Sequence, residues 1–168
     1  MNALTIEIRH AEPADAPAIA ETHRASWQYA YAGILPYRTL RAMLERRNVS
    51  WWRRAIRGST SILLLDVGGT VAGYATLGLN RARSLPQEGE IYELYLRPEY
   101  QGVGLGRKLF AEARLLLSSL GCKGSVVWCL EDNDPAMAFY HGQGGRDLAE
   151  GFELFDGKTL KKVAFAWS

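Results

Sequence analysis

The chain has 168 residues, of which 48% are hydrophobic and 23% are charged. This composition is typical of a globular domain and excludes a largely disordered chain. Twenty Lys and Arg against eighteen Asp and Glu leave a formal net charge of +2, which is too small to drive nucleic-acid binding by counterion release. We therefore expect one domain over residues 1–168 and no nucleic-acid partner.

The sequence gives no sign of a secretion signal, a membrane span or a metal site. Residues 1–10 lack a long apolar run, and no stretch of about eighteen apolar residues follows. Cys122 and Cys129 have no CxxC motif or Cys/His cluster beside them, and the three histidines are scattered. These observations predict a cytoplasmic protein without a membrane partner, a disulfide framework or a bound metal.

Hydrophobic periodicity in the first part of the chain predicts a strand followed by helices. Residues 5–9 alternate like a short strand, and residues 13–30 carry apolar side chains at helical spacing until Gly33 ends the pattern. Two amphipathic helices with basic polar faces follow at 38–45 and 50–57. This part of the chain is therefore predicted to be mainly helical.

The pattern then changes to strands. Residues 61–67 and 70–79 are rich in apolar and β-branched side chains and are joined by Gly68-Gly69, which predicts a β-hairpin. A loop at 81–89 leads into a strand at 90–96.

A helix, a strand, a short helix and a closing pair of strands complete the chain. Their predicted bounds are 105–120, 125–130, 135–143, 152–156 and 161–167. The order of elements predicts an α/β fold with a mixed, partly antiparallel central sheet flanked by helices.

A glycine-rich segment lies between the predicted strand at 90–96 and the helix at 105–120. It reads Gln101-Gly102-Val103-Gly104-Leu105-Gly106-Arg107. Because the N–H groups at the start of a helix attract anions, the segment predicts a cradle for a pyrophosphate, with a tight packing turn as the alternative. A dinucleotide fingerprint would need glycine where Arg107 stands, and a P-loop would need Gly-Lys-Ser or Gly-Lys-Thr where Arg107-Lys108-Leu109 stand.

Two motifs in this order resemble those of the GCN5-related N-acetyltransferase (GNAT) superfamily. The acetyl-CoA loop of that family reads Gln/Arg-x-x-Gly-x-Gly/Ala and is matched by Gln101, Gly104 and Gly106. Downstream, Asn133-Asp134-Pro135-Ala136-Met137-Ala138-Phe139-Tyr140 is similar to the family's Asn-x-x-Ala-x-x-Phe-Tyr segment. The resemblance implies a GNAT-type acyl-CoA N-acyltransferase fold. It also implies transfer of acetyl from acetyl-CoA, without a metal, to the primary amine of a small molecule or a protein N-terminus by direct attack in a ternary complex.

The resemblance also implies where the cofactor binds. The strand before the loop would offer main-chain groups to the pantetheine arm, much as a sheet edge binds a peptide. Asn133 could contact the cofactor or serve only as a helix N-cap. The cofactor-binding residues that follow from the resemblance are Leu94, Tyr95, Leu96, Gln101, Gly102, Val103, Gly104, Leu105, Gly106, Arg107, Asn133, Ala136, Phe139 and Tyr140.

Three residues are candidates for proton transfer. The phenol of Tyr140 can protonate the departing thiolate, although the side chain could instead anchor its helix in the core. In the family, a glutamate on the strand entering the loop can take the amine proton, and Glu90 and Glu93 are the candidates. Alternation along the strand predicts that they lie on opposite faces, and we favour Glu90 as the base.

The resemblance also implies that the acceptor site lies near the first helices, where Trp27, Tyr31 and Tyr37 cluster. Aromatic residues at helical spacing also commonly form a core, and the neighbouring arginines either attract an acidic acceptor or form a solvated face. A non-catalytic acyl-CoA-binding or sensing module is the alternative function. A homodimer is possible because exposed edges of mixed sheets often find partners.

Overall fold

The computed structural model describes residues 4–168, so residues 1–3 of the predicted domain lie outside the described part. Five helices and seven strands form the fold. The helices are α1 (Ala16–Tyr31), α2 (Tyr37–Arg46), α3 (Val49–Arg57), α4 (Leu105–Ser119) and α5 (Asp134–Gly142). The strands are β1 (Ile6–His10), β2 (Ser61–Val67), β3 (Thr70–Leu79), β4 (Gly89–Leu96), β5 (Ser125–Leu130), β6 (Arg146–Phe155) and β7 (Lys158–Trp167).

The strands form one sheet in the order β1-β2-β3-β4-β5-β7-β6. Every neighbouring pair is antiparallel except β4 and β5. The parallel pair is joined through α4, as a parallel connection requires a crossover. The prediction of a mixed, partly antiparallel sheet flanked by helices is therefore confirmed.

Helices cover both faces of the sheet. On one face, α4 and α5 pack a core that includes Leu109, Phe110 and Tyr140 against the sheet. On the other face, α1 and α3 place Ile19 and Trp52 against strands β2 and β3. The two cores fix the sheet between α4 and α5 on one side and the N-terminal helices on the other.

Most predicted elements are confirmed within a few residues, and the largest difference is at the C-terminal hairpin. The first helix of the chain begins as a 3-10 turn at Pro13–Asp15 before α1. Strand β6 starts at Arg146, and β7 starts at Lys158, both earlier than predicted. Because β6 is an edge strand that is mostly exposed, its first half lacks the apolar alternation that would mark it in the sequence.

Two irregularities in β4 shape the centre of the molecule. Its pairing with β5 is limited to Gly89 with Ser125 and Glu90 with Val126, after which the two strands part. Its pairing with β3 shifts register between Thr76 and Leu77, which adds one residue to β4. The first irregularity opens a gap through the sheet, and the second changes which side chains of β4 face it.

Within residues 4–168, no helix is both long enough and apolar enough to cross a membrane.

Candidate active site

A cavity of about 530 Å³, which we call the donor cavity, lies between the end of β4 and the start of α4 and α5. Its walls are mostly apolar and include Leu94 and Leu96 of β4, Gly104 of the glycine-rich segment, and Phe139 and Tyr140 of α5. The two motifs that are separate in sequence therefore meet at one cavity.

The glycine-rich segment has the geometry of an anion cradle. Gly102 and Gly104 have φ of +82° and +85°, which L side chains rarely adopt, and a Cβ at either position would meet nothing within 4 Å. Within the described part of the chain, no side chain caps α4, so its first N–H groups remain available to a ligand. The site fits the pyrophosphate of the predicted cofactor.

The side chains of Gln101 and Asn133 each form a hydrogen bond to the main chain at the edge of the donor cavity. The Gln101 side-chain amide donates to the carbonyl oxygen of Leu96 at 3.0 Å, which ties the glycine-rich segment to the end of β4. The Asn133 side-chain oxygen accepts from the N–H of Ala136 at 3.3 Å, as an N-cap of α5. Asn133 also lines the donor cavity, so the N-cap role and a contact to the ligand are compatible.

The structure brings twelve of the fourteen predicted cofactor-binding residues to the donor cavity. The other two are Val103, whose side chain is 72% exposed, and Leu105, which is buried in the core with α4. Neither side chain lines the donor cavity, which leaves only their main-chain groups for a ligand. The twelve are Leu94, Tyr95, Leu96, Gln101, Gly102, Gly104, Gly106, Arg107, Asn133, Ala136, Phe139 and Tyr140.

A second cavity of about 550 Å³, the acceptor cavity, lies on the opposite side of the sheet gap. Trp27 and Tyr31 of α1 line it, together with residues from β4, β5 and the β6–β7 hairpin. Tyr37 does not line it, and its side chain is 75% exposed. The structure thus brings two of the three predicted acceptor-site residues together.

A small cavity of about 30 Å³ lies where β4 and β5 part, and its walls belong to both larger cavities. It shares Tyr140 and Asn133 with the donor cavity, Tyr31 and Glu93 with the acceptor cavity, and Tyr95 with both. We call it the connecting cavity. An acyl group held at the end of the donor cavity would meet an amine from the acceptor cavity here.

Glu90 and Glu93 face the same cavity, so the prediction that they lie on opposite faces is wrong. Both side chains line the acceptor cavity. The extra residue in β4 at the register shift opposite Thr76 and Leu77 reverses the alternation between them. A period-two pattern does not reveal a bulge, so the alternation along the strand predicted opposite faces for the two carboxylates.

The two carboxylates have different partners. Glu90 is only 2% exposed and is held by Arg81, whose main-chain N–H and Nη2 each donate to it at 3.0 Å. Glu93 accepts from Arg47 Nη1 at 2.5 Å and from the Tyr74 hydroxyl at 2.7 Å. Only Glu93 also lines the connecting cavity.

Tyr140 is buried against the aromatic rings of Phe110, Phe139, Phe165 and Trp167. Burial raises the pKa of its phenol well above the usual value. The group therefore stays protonated near neutral pH, as a proton donor must. Its side chain also lines both the donor and the connecting cavity, so one residue packs the core and borders the site.

Tyr31 and Tyr95 join their hydroxyl groups in a hydrogen bond between α1 and β4. Burial raises the pKa of Tyr31 to about 12 and also raises that of Tyr95. Both phenols are therefore neutral at the connecting cavity, where they can donate or accept hydrogen bonds without adding charge.

Cys129 also lines the connecting cavity, but it is a poor nucleophile. Burial raises the pKa of its thiol to about 12, so the reactive thiolate is scarce at neutral pH. Its sulfur lies 3.4 Å from Sδ of Met137. Acyl transfer through this cysteine is therefore disfavoured.

Several residues of the site carry no motif and were missed in the sequence. Arg47, Tyr74 and Arg81 hold the two glutamates, and Tyr92 and Trp128 line the acceptor cavity. They come from a helix end, three strands and a loop that are far apart along the chain. Only the tertiary fold brings them together, although the arginines of this region were predicted either to attract an acidic acceptor or to form a solvated face.

Comparison with known proteins identifies the family. A family model described as the acetyltransferase (GNAT) family matches residues 18–144. The chain therefore belongs to the GNAT family, and it is an acetyl-CoA-dependent N-acetyltransferase.

Individual relatives agree with this assignment. The uncharacterized N-acetyltransferase YuaI of Bacillus subtilis is 31% identical over 96% of this chain and 92% of its own. The L-amino acid N-acyltransferase MnaT of Escherichia coli is 30% identical over 81% of this chain and 76% of its own.

Solved structures share the fold. The PaiA N-acetyltransferase of Thermoplasma acidophilum in complex with coenzyme A has a TM-score of 0.76 and 22% identity, covering 94% of this chain and 98% of its own. A GCN5-related N-acetyltransferase from Rhodopseudomonas palustris has a TM-score of 0.78 and 21% identity, covering 98% and 96%. The prediction of a GNAT-type fold is confirmed.

Proposed function

We propose that the chain transfers acetyl from acetyl-CoA to the primary amine of a small molecule by direct attack in a ternary complex. The observation that carries this proposal is the connecting cavity at the parting of β4 and β5, which shares walls with both larger cavities. Both substrates can be bound at once on opposite sides of the sheet gap. No covalent acyl-enzyme is needed.

A small acceptor is favoured by a contact between the β6–β7 hairpin and the α1–α2 loop, two segments that both contribute residues to the wall of the acceptor cavity. Lys158, at the start of β7, donates from Nζ to the carbonyl oxygen of Ile34 at 2.9 Å, which ties the β6–β7 hairpin to the α1–α2 loop. Phe155 at the end of β6 packs in the same cluster as Leu35. A polypeptide would need an open groove across this contact, whereas a small amine needs only the cavity. A protein N-terminus is the alternative acceptor.

Glu93 is proposed to take the proton of the attacking amine, directly or through a water molecule. It is preferred to Glu90 because it lines the connecting cavity as well as the acceptor cavity, whereas Glu90 lines only the acceptor cavity. Glu90 is then proposed to shape the wall of the acceptor cavity rather than to transfer a proton.

Tyr140 is proposed to protonate the leaving thiolate. In the complete reaction the amine nitrogen forms a bond to the acetyl carbon and the carbon–sulfur bond breaks. One proton passes from nitrogen to Glu93 and one passes from Tyr140 to sulfur. Exchange with solvent then restores both groups.

Strand β4 is proposed to bind the pantetheine arm through its main chain. Beyond Glu90 its pairing with β5 ends, which leaves the main-chain groups of Leu94 to Leu96 directed into the sheet gap. The N-terminal end of α4 is proposed to bind the pyrophosphate.

A thiol-release assay with a panel of amines tests the proposal. The panel contains polyamines, free amino acids, arylalkylamines and short peptides with free N-termini. We expect turnover with at least one small amine, and we expect Glu93→Gln to lower kcat by about a hundredfold or more while Glu90→Gln keeps most of it. Tight acetyl-CoA binding with no thiol release for any amine would support the non-catalytic acyl-CoA-binding module. Turnover only with peptides would support the protein N-terminus as acceptor.

We also propose that the protein acts in the cytoplasm, where acetyl-CoA is available, and that it can form a homodimer. Strand β6 is the outer edge of the sheet, and Phe152 and Leu154 on it are each 69% exposed. Pairing of two β6 edges would cover these side chains. Light scattering of the purified protein distinguishes a dimer from a monomer.

A further inference from the structure

The carboxylate of Glu93 is held at both oxygens. Arg47 Nη1 donates to Oε1 at 2.5 Å, and the Tyr74 hydroxyl donates to Oε2 at 2.7 Å. The Tyr74 oxygen in turn accepts from Nε1 of Trp27 at 3.1 Å. The Glu93 side chain is 12% exposed, so these contacts are little screened by solvent.

Arg47 is itself fixed by aromatic rings. Its guanidinium carbon lies 4.4 Å from the ring centre of Trp51, 5.0 Å from that of Trp27 and 5.6 Å from that of Trp52. The residue directly follows α2, and two of the three tryptophans are on α3. A flat guanidinium can stack on such rings while one edge donates to a carboxylate, which an ammonium group cannot do.

We propose that Arg47, held by Trp27, Trp51 and Trp52, is a positioning residue that keeps the Glu93 carboxylate directed at the connecting cavity. The inference rests on the proposed function, in which Glu93 takes the proton from the amine. It assigns a role in the reaction to the corner between α2 and α3.

The other charged and titratable groups around Glu93 do not replace Arg47. The phenols of Tyr31, Tyr74 and Tyr95 are neutral, because burial raises the pKa of each. Arg81 is engaged by Glu90, which lines the same cavity and carries the same charge as Glu93. His23, behind Trp27, is fully buried and uncharged at neutral pH. Among residues 4–168, Arg47 is therefore the only cation hydrogen-bonded to Glu93.

The test compares Arg47→Met with Arg47→Lys in kcat and in KM for the amine. Loss of the guanidinium should let the Glu93 carboxylate turn away from the connecting cavity, so in Arg47→Met kcat should fall about tenfold to a hundredfold while KM changes little. Arg47→Lys should keep only part of the rate, because an ammonium cannot stack on the rings while it donates to the carboxylate. Arg41→Met, on the exposed face of α2, is the matched control and should change neither quantity.

A double-mutant cycle with Glu93→Gln separates positioning from general destabilisation. Arg47→Met should add little to the loss already caused by Glu93→Gln, whereas independent structural damage would multiply the two losses. If Arg47→Met fails to fold, Tyr74→Phe replaces it in the cycle, because this variant removes the other hydrogen-bond donor to Glu93. Tyr74→Phe should then lower the rate less in the Glu93→Gln variant than in the wild-type protein.

The outcomes distinguish the inference from the function on which it rests. Full activity of Glu93→Gln would remove Glu93 as the base and so contradict the proposed mechanism. An inactive Glu93→Gln combined with an unchanged kcat in Arg47→Met, or with losses that multiply in the cycle, would overturn the role of Arg47 alone.

Discussion

A substitution at Tyr140 can separate the packing of the site from its proposed chemistry. Its ring packs against four aromatic neighbours, while its hydroxyl is the group proposed to protonate the thiolate. In Tyr140→Phe we expect kcat to fall about tenfold to a thousandfold, with acetyl-CoA affinity and melting temperature close to wild type. Steady-state kinetics, calorimetric titration and thermal unfolding measure these three quantities.

The control for this variant is Tyr100→Phe, at a half-buried tyrosine that packs against the same core and lines neither cavity. It should leave kcat unchanged. A fully active Tyr140→Phe would remove the residue from the mechanism and leave solvent as the source of the proton. A lower melting temperature with intact turnover would assign it a purely structural role.

His23 makes stability depend on acid pH. It is fully buried beside Trp27 and Trp52, and in the described chain neither ring nitrogen has a hydrogen-bond partner. Burial, followed by repulsion from Arg47 and Arg24, lowers its pKa from 6.5 to about 3. Below about pH 6.5 the unfolded chain binds a proton that the folded chain does not, so stability falls as the pH drops towards 3.

The size of this effect can be measured by urea unfolding at about pH 7 and about pH 5. For one such group the free energy of unfolding decreases by at most about 1.4 kcal/mol per pH unit within that window. His23→Phe should remove this contribution and be at least as stable as wild type near pH 7, because no hydrogen bond is lost. His10→Gln, at an exposed histidine, should keep the wild-type dependence. An equal acid dependence in His23→Phe and wild type would show that His23 does not cause it.

At the level of residues, the sequence predicted which side chains belong to the site better than it predicted how they are oriented. Tyr140, Glu93 and Trp27 were candidates because of the resemblance to the GNAT family, and all three line the cavities. The prediction that Glu90 and Glu93 lie on opposite faces of β4 is wrong, because their orientation depends on a bulge in the pairing of β3 with β4. Arg47 and Tyr74 could not be found, since their role exists only through contacts across the fold.

Among the elements, α4 and the glycine-rich segment before it are the most directly testable. Gly104 is the N-cap of α4 and has φ of +85°, with open space around it on the cavity side. Gly104→Asp adds backbone strain and a carboxylate where an anion is expected to bind. We expect the Kd for acetyl-CoA to rise more than tenfold, that is by more than about 1.4 kcal/mol, in a protein that still folds.

Gly121 provides the matched control at the other end of the same helix. Its φ is +88° and a Cβ there would also meet nothing within 4 Å. Gly121→Asp should lower the melting temperature by a similar amount and leave acetyl-CoA affinity unchanged. Unchanged affinity in folded Gly104→Asp, measured by calorimetry, would show that the anion binds elsewhere.

Elements with strong periodicity were predicted well, and weakly patterned ones were not. The helix α4 and the hairpin of β2 and β3 have clear apolar patterns ended by glycines, so their bounds were predicted within one residue. Strand β6 is paired on one side only and mostly exposed, so its first half reads as polar loop. Burial, not length, determines how clearly a strand is visible in the sequence.

At the scale of the whole molecule, the proposed function depends on a sheet that divides at its centre. Strands β4 and β5 pair only at their beginnings and then part, so the donor and acceptor cavities meet through the gap. The order of elements predicted a mixed sheet, but the place where it opens depends on strand register and could not be read from the sequence.

The central claim is that acetyl passes straight from acetyl-CoA to the amine across this gap. Its most direct test is a single turnover with acetyl-CoA labelled in the acetyl group, using an amine that the panel identifies as a substrate, with intact-protein mass spectrometry at each time point. We predict that the label appears on the amine at least as fast as steady-state turnover, and that the protein remains unlabelled with or without the amine. A labelled protein that transfers its acetyl group to the amine at a competent rate would contradict direct attack in a ternary complex.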